Sequence, residues 1–205
     1  ISTLNYKFHY YFDYCIRENN IQVISHHFSN HKIEGLTVTD NLGTSFSYEQ
    51  ENPVSKRHFT LCHELGHFIL KHDGSYFTEL VDNQESILER EANVFSAIVL
   101  MPDIVLLSKI YYACESFQKV KEDLEVSKQA LYFRLIDLLR IYKVDTESAI
   151  KQAVDEYLDG QNASLHHCFH QLKEILIEEF NQYQPSLIAR LKKRLKQTNF
   201  VTSQE

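Results

Sequence analysis

The chain reads as an α+β protein that is mostly helical, with a small antiparallel sheet in its N-terminal part. Three observations predict this. Five glycines and three prolines in 205 residues leave little chain for loops, and these are the residue types that most often interrupt regular structure. Residues 36–48 combine β-branched and aromatic residues around a turn, and most of the chain from Arg57 onward carries apolar residues at helical spacing.

Leu36 to Tyr48 reads as a β-hairpin, with Asp40-Asn41-Leu42-Gly43 as its turn. Arg57 to Leu70 reads as a helix that Phe59, Leu61, Cys62, Leu65, Phe68 and Ile69 make apolar enough to be buried with one polar stripe. That stripe holds His63-Glu64-Leu65-Gly66-His67. Residues four apart lie on one helix face, about 5–6 Å between Cβ atoms, so His63 and His67 can aim two imidazoles at one metal ion. Glu64 points about 100° around the helix, where its carboxylate can act as general base toward a water on the metal.

A catalytic metal site of this kind needs a third protein ligand. The next helix runs to Pro102, with Asp82 and Glu85 as a possible capping box and Ile87, Val94, Phe95 and Ile98 at helical spacing. Glu89 and Asn93 share one of its faces, so Glu89 can ligate while Asn93 hydrogen-bonds a ligand histidine. Glu91 is rotated about 200° from Glu89 and is the less favoured ligand. His72, at the end of the first helix, suits a helix C-terminus better than ligation.

Ser116 to Ile141 reads as a short helix, a turn at Glu125-Val126-Ser127 with Ser127 as N-cap, and a longer helix, which has helix-turn-helix punctuation. Residues 146–158, 164–180 and 185–197 form three further helical stretches. The last pairs Arg190, Lys192, Lys193, Arg194 and Lys196 with an apolar stripe and could dock an acidic partner, although a solvated surface helix is the plainer reading. The expected domains are 1–115 with the metal site, 116–145 and 146–205.

Residues 57–67 and 89–102 together resemble the ImmA/IrrE family of metallopeptidases, whose Arg-Phe-Thr-Leu-Ala-His-Glu-Leu-Gly-His helix is followed by Glu-x-Glu-Ala-Asn-x-Phe-Ala-x-x-Leu-Leu-Met-Pro. The resemblance extends over roughly residues 20–141. The departures are His58 beside Phe59, Cys62 and Ser96 where alanine is usual, and Ile98-Val99 in the final apolar run. What the resemblance implies is a zincin-like metallopeptidase domain, Zn²⁺ held by His63, His67 and Glu89, and Glu64 as the base. It further implies an intracellular protease whose substrate is a helix-turn-helix transcriptional repressor. In zinc peptidases of this general kind an edge strand near the metal lines up an extended substrate, a role open to the 36–48 hairpin, which reads equally well as a plain structural one. Tyr132 and Arg134 fall in a segment similar to one that recurs in the family and could steady an oxyanion, but helix packing explains them as well. The rival from another class is a regulatory binding protein that sequesters a repressor or senses a ligand without proteolysis. An intact Glu64 weighs against it.

A net charge of −7 argues against general nucleic-acid binding. Cys15, Cys62, Cys114 and Cys168 are too widely spaced for a disulfide framework, and Cys62 reads as core. No apolar run approaches membrane-spanning length, and no secretory leader is evident. The expected location is the cytoplasm.

Overall fold

The computed structural model describes residues 5–28, 33–72, 76–79 and 87–201, with the side chains of 76–79 and 183–201 outside the description. Helix α1 (Phe8–Glu18) leads into strands β1 (Gln22–His26), β2 (Ile33–Asp40) and β3 (Gly43–Glu49). Helix α2 (Val54–Leu70) follows, then β4 (Tyr76–Glu79) and α3 (Ile87–Leu100). The remainder is helical: α4 (Asp103–Leu106), which runs into a π-helical turn (Leu107–Tyr112), then α5 (Phe117–Asp123), α6 (Lys128–Ile141), α7 (Glu147–Leu158) and α8 (Ala163–Val201).

The α+β, mostly helical class stands. The hairpin forms where the sequence places it: Asp40 Oδ1 accepts from the Leu42 N–H at 2.8 Å and Gly43 sits at φ 130°, a backbone conformation that glycine adopts at no steric cost. The sheet has the order β1-β3-β2-β4 and is mixed, because β1 joins β3 in parallel, with Gln22 opposite Ser45. A wholly antiparallel sheet was expected from the hairpin alone. The parallel pairing follows from β1 lying beside β3, two strands on in the chain, and not beside β2, and β1 shows no alternation that would reveal it. Strand β2 is covered on both sides, by β3 and by β4, and its pairing with β4 is irregular between Ile33 and Gly35. The hairpin strand is therefore not a sheet edge.

Helix α2 lies between this sheet and α3, against which it makes its most extensive packing. That sandwich explains why residues 60–67 are buried without interruption, where an apolar helix with one polar stripe was expected. The crossing with α3 is close at Gly66: a Cβ there would lie 3.1 Å from Phe95 Cδ1 and 3.2 Å from Ala92 Cα. Ser96, on the same α3 face, is buried and returns its hydroxyl to the Ala92 carbonyl at 2.8 Å. One apolar core runs on from Leu65 and Leu100 through Leu107, Leu131 and Leu135 to Tyr157 and Phe169.

In the helical part, Ser116 and Ser127 cap α5 and α6 by accepting from the N–H of Lys119 and Ala130. The π-helical turn brings Lys109 inward, where Glu115 (3.1 Å) and Asp123 (2.7 Å) meet its ammonium. The break expected near Pro185 is absent, since α8 is continuous from Ala163 to Val201. A proline removes one backbone donor and kinks more often than it stops a helix whose flanks are strong helix formers. The basic stripe from Arg190 to Lys196 and the Asp82–Glu85 capping box lie outside the described side chains and residues. Among the described residues, no single helix is long and apolar enough to cross a membrane.

Candidate functional site

Helical pitch sets the first half of the site. His63 and His67, one turn apart on α2, place their Nε2 atoms 2.9 Å from each other, and their rings meet edge to face at 4.6 Å. Across the close α2–α3 crossing, Glu89 brings one carboxylate oxygen to 3.0 Å from His63 Nε2 and the other to 3.3 Å from His67 Nε2. The two imidazoles are almost completely buried, at 2% and 1% exposure, while Glu89 is partly accessible. A tetrahedral zinc with bonds of about 2.0–2.1 Å separates its ligand atoms by roughly 3.3 Å. Three lone-pair donors at 2.9–3.3 Å, of the His/His/carboxylate type, fit such an ion with only small adjustment.

The outer nitrogens of both rings are engaged, and the partners determine the tautomers. Asn93, one turn beyond Glu89, sets its side-chain carbonyl 2.9 Å from His63 Nδ1, so Nδ1–H donates and Nε2 keeps its lone pair for the metal. His67 Nδ1 lies 2.8 Å from Nδ1 of His72, whose Nε2 lies 3.0 Å from Glu91 Oε2. A carboxylate only accepts, so His72 donates from Nε2; its Nδ1 then accepts from His67 Nδ1–H, leaving His67 Nε2 free to ligate. Burial, with repulsion from His63, pushes the His67 pKa down to about 4 and holds the ring in the neutral form that metal binding requires.

Glu64 is fully buried on the sheet side of α2. Thr37, on β2, donates its hydroxyl to Glu64 Oε2. Gly35, two residues earlier at the irregular point of the same strand, leaves the other oxygen its room: a Cβ at Gly35 would stand 2.9 Å from Glu64 Oε1 and clash with Thr60 Cγ2. An open cleft of about 700 Å³ adjoins Asn93 and Phe59 and is walled by Glu34 of β2, Lys56 of α2, and Ala130 and Phe133 of α6.

The structure thus brings together His63, His67, Glu89 and Asn93, and sets Glu64 on the adjoining face. Glu91 stays out of the converging set, as its rotation along α3 predicts, but it anchors His72. That relay was missed by reading His72 as a helix-end residue. Its signal was available only in the joint presence of a histidine one turn past His67 and a carboxylate on the other face of α3. Tyr132 and Arg134 serve packing: Tyr132 donates to Asp155 at 2.8 Å, and Arg134 is buried, donating to the Met101 carbonyl at 3.2 Å and to Asp103. Cys62 is core, its thiol pushed up by burial.

Residues 16–136 match the family model of a peptidase domain described as IrrE N-terminal-like. No curated protein and no solved structure shows significant similarity to the chain. The matched segment covers more than half of the 205 residues and includes both helices that build the site, and the chain therefore belongs to the ImmA/IrrE family of metallopeptidases.

Proposed function

We propose that this metallopeptidase is a zinc-dependent endopeptidase that cuts a helix-turn-helix transcriptional repressor at a specific bond and so relieves repression. The observation that carries the catalytic part is the convergence of His63, His67 and Glu89 beside a fully buried carboxylate, Glu64, on the adjoining face of α2. His63, His67 and Glu89 would hold the ion, and Asn93 and His72 orient the two rings. Bound there, zinc supplies a Lewis acid that polarises the scissile carbonyl and acidifies the attacking water. Glu64 takes the proton from that water and passes it to the leaving amine. Thr37 steadies one Glu64 oxygen, and Gly35 leaves room beside the other.

Family membership supports a repressor as substrate, and the cleft between α2, α3 and α6 supports a polypeptide substrate because its walls mix apolar rings with charged heads of both signs. Strand addition to β2 is not available, since β3 and β4 flank it; an extended substrate would instead lie in the cleft. An intact base held by its own partner weighs against a purely sequestering role.

The test is incubation of the zinc-loaded protein with a helix-turn-helix repressor encoded beside it, read by intact mass. One new fragment pair is expected, absent with chelator and lowered about 10²–10⁴-fold in rate by Glu64→Gln, which should still bind metal. Cleavage at the wild-type rate by Glu64→Gln would remove the proposed base.

A further inference from the structure

At the other end of α2, three residues from separate segments meet around the start of the buried stretch. His58 lies five residues before His63, about 7.5 Å back along the helix axis. His9 comes from α1, and Glu125 from the turn between α5 and α6, where it occupies a left-handed backbone conformation at φ 54°. One Glu125 oxygen stands 3.6 Å from His58 Nδ1 and 3.7 Å from His9 Nε2. The two rings pack edge to face at 4.8 Å.

His58 is the informative member. It is only 8% exposed, and its Nδ1 is buried without a hydrogen-bond partner, an arrangement that costs free energy unless something else satisfies the atom. At 3.6 Å Glu125 is too far for a good hydrogen bond. Nor do the two form an ion pair near neutral pH: burial first, then the charge of His9, pushes the His58 pKa down to about 4. Phe8 packs on the other side of the His58 ring at 4.2 Å and fixes its orientation. What remains is a neutral imidazole nitrogen, a second imidazole and a carboxylate oxygen, with the two carboxylate edges at 3.6 and 3.7 Å and all three donor atoms within 4.8 Å of one another, against roughly 3.3 Å in a tetrahedral zinc site.

We propose that His9, His58 and Glu125 form a second site for a divalent transition-metal ion, distinct from the His63–His67–Glu89 centre. The donor set, two imidazoles and one carboxylate, suits zinc or cobalt(II) and not magnesium or calcium, which take oxygen ligands. His9 is exposed, which gives the ion a way in and leaves a position for water. Arg57 and Lys7 lie near enough to His58 to oppose a cation weakly, and Lys7 is drawn off to the Asp123 carbonyl at 3.3 Å. With these two cations nearby, this site is the weaker of the two. Its ion would tie α1 and the α5–α6 turn to the N-terminal end of the metal helix.

The His27, Glu49 and Glu51 cluster lacks the same warrant. Both Glu49 oxygens already accept, from the N–H of Phe28 at 2.7 Å and of Glu51 at 3.1 Å.

The test is metal stoichiometry of the untagged full chain, stripped with chelator and dialysed against zinc or cobalt(II), by elemental analysis. Two ions per chain are expected, one in Glu125→Gln, one in His9→Gln, and one in His63→Ala. Zinc should raise the melting temperature of His63→Ala, because an ion that binds only the folded state stabilises it, and adding Glu125→Gln should abolish that rise. Both Glu125 and His9 are partly exposed, so these variants fold if the packing around Phe8 is sound. One ion per chain that is wholly lost in His63→Ala would overturn the second site and leave the first intact. Retention of two ions in Glu125→Gln or in His9→Gln would overturn the ligand set. Loss of ions in Glu125→Gln with two retained in His63→Ala would instead count against the first centre.

Discussion

The two ends of helix α2 carry the same kind of donor group in different states of completion. Toward the C-terminal end, the outer ring nitrogens of His63 and His67 have partners in Asn93 and His72, and the nearby Glu64 carboxylate has Thr37. At the N-terminal end, His58 Nδ1 faces Glu125 across 3.6 Å with no hydrogen-bond partner. The difference lies in what surrounds each set. The first sits where α3 and the sheet press on α2 from opposite sides, so neighbouring elements can supply outer partners. The second sits where α1 and a single turn touch the helix, and only ring packing steadies it. A site preorganised by an outer shell is expected to bind more tightly and to tolerate less disturbance.

Disturbing the crowded end at its base should have the largest effect. Gly35→Ala drives a methyl group against Thr60 and the Glu64 carboxylate. A displacement of that order costs on the order of 10²-fold in cleavage rate, with metal stoichiometry unchanged. Kinetics and elemental analysis on one preparation check both halves, and an unchanged rate would mean that Gly35 does not set the base.

Removing the outer shell should come next. His72→Ala or Glu91→Gln is expected to weaken binding at the His63–His67–Glu89 centre about 10–100-fold, read by competition with a chromophoric chelator. If neither variant moves the affinity, the relay does not orient His67, and the contrast between the two ends loses its basis. Gly66→Ala tests the close crossing itself. Its methyl group meets Ala92 and Phe95, for an expected loss of about 1–3 kcal/mol in stability, measured by denaturant unfolding, together with weaker metal binding as Glu89 moves outward.

The smallest effect belongs to Ser127→Ala, which removes the cap from α6 two residues after Glu125. It should cost about 1 kcal/mol and leave both metal stoichiometries unchanged. A lost ion in this variant would mean that the turn, more than the Glu125 carboxylate, governs the N-terminal cluster.

Much of the first centre was legible because a helix turns spacing into geometry without reference to anything else. A spacing of four from His63 to His67 implies a shared face, and the same spacing from Glu89 to Asn93 implies another, so ligand candidate and outer partner could be read as a pair. The same rule set Glu91 apart from Glu89. His72 was misjudged for a complementary reason: past the Lys71 cap the helix rule ends, and where the imidazole turned depended on Glu91 across the crossing. Thr37 and Gly35 were visible only as hairpin residues, since nothing in a strand's alternation says which helix will cover it.

The sequence by itself determined the helical content, the hairpin, the cap at Ser127, and the two histidines with Glu64 between them, all of which follow from interactions within one or two turns of chain. Only the tertiary structure decided the mixed order of the sheet, the unbroken burial of residues 60–67 of α2, the His67–His72–Glu91 relay and the meeting of His9, His58 and Glu125. Those features join segments distant in the chain, and their registration is set by how closely small residues such as Gly66 and Ala92 let two helices approach, a packing quantity that no local pattern encodes.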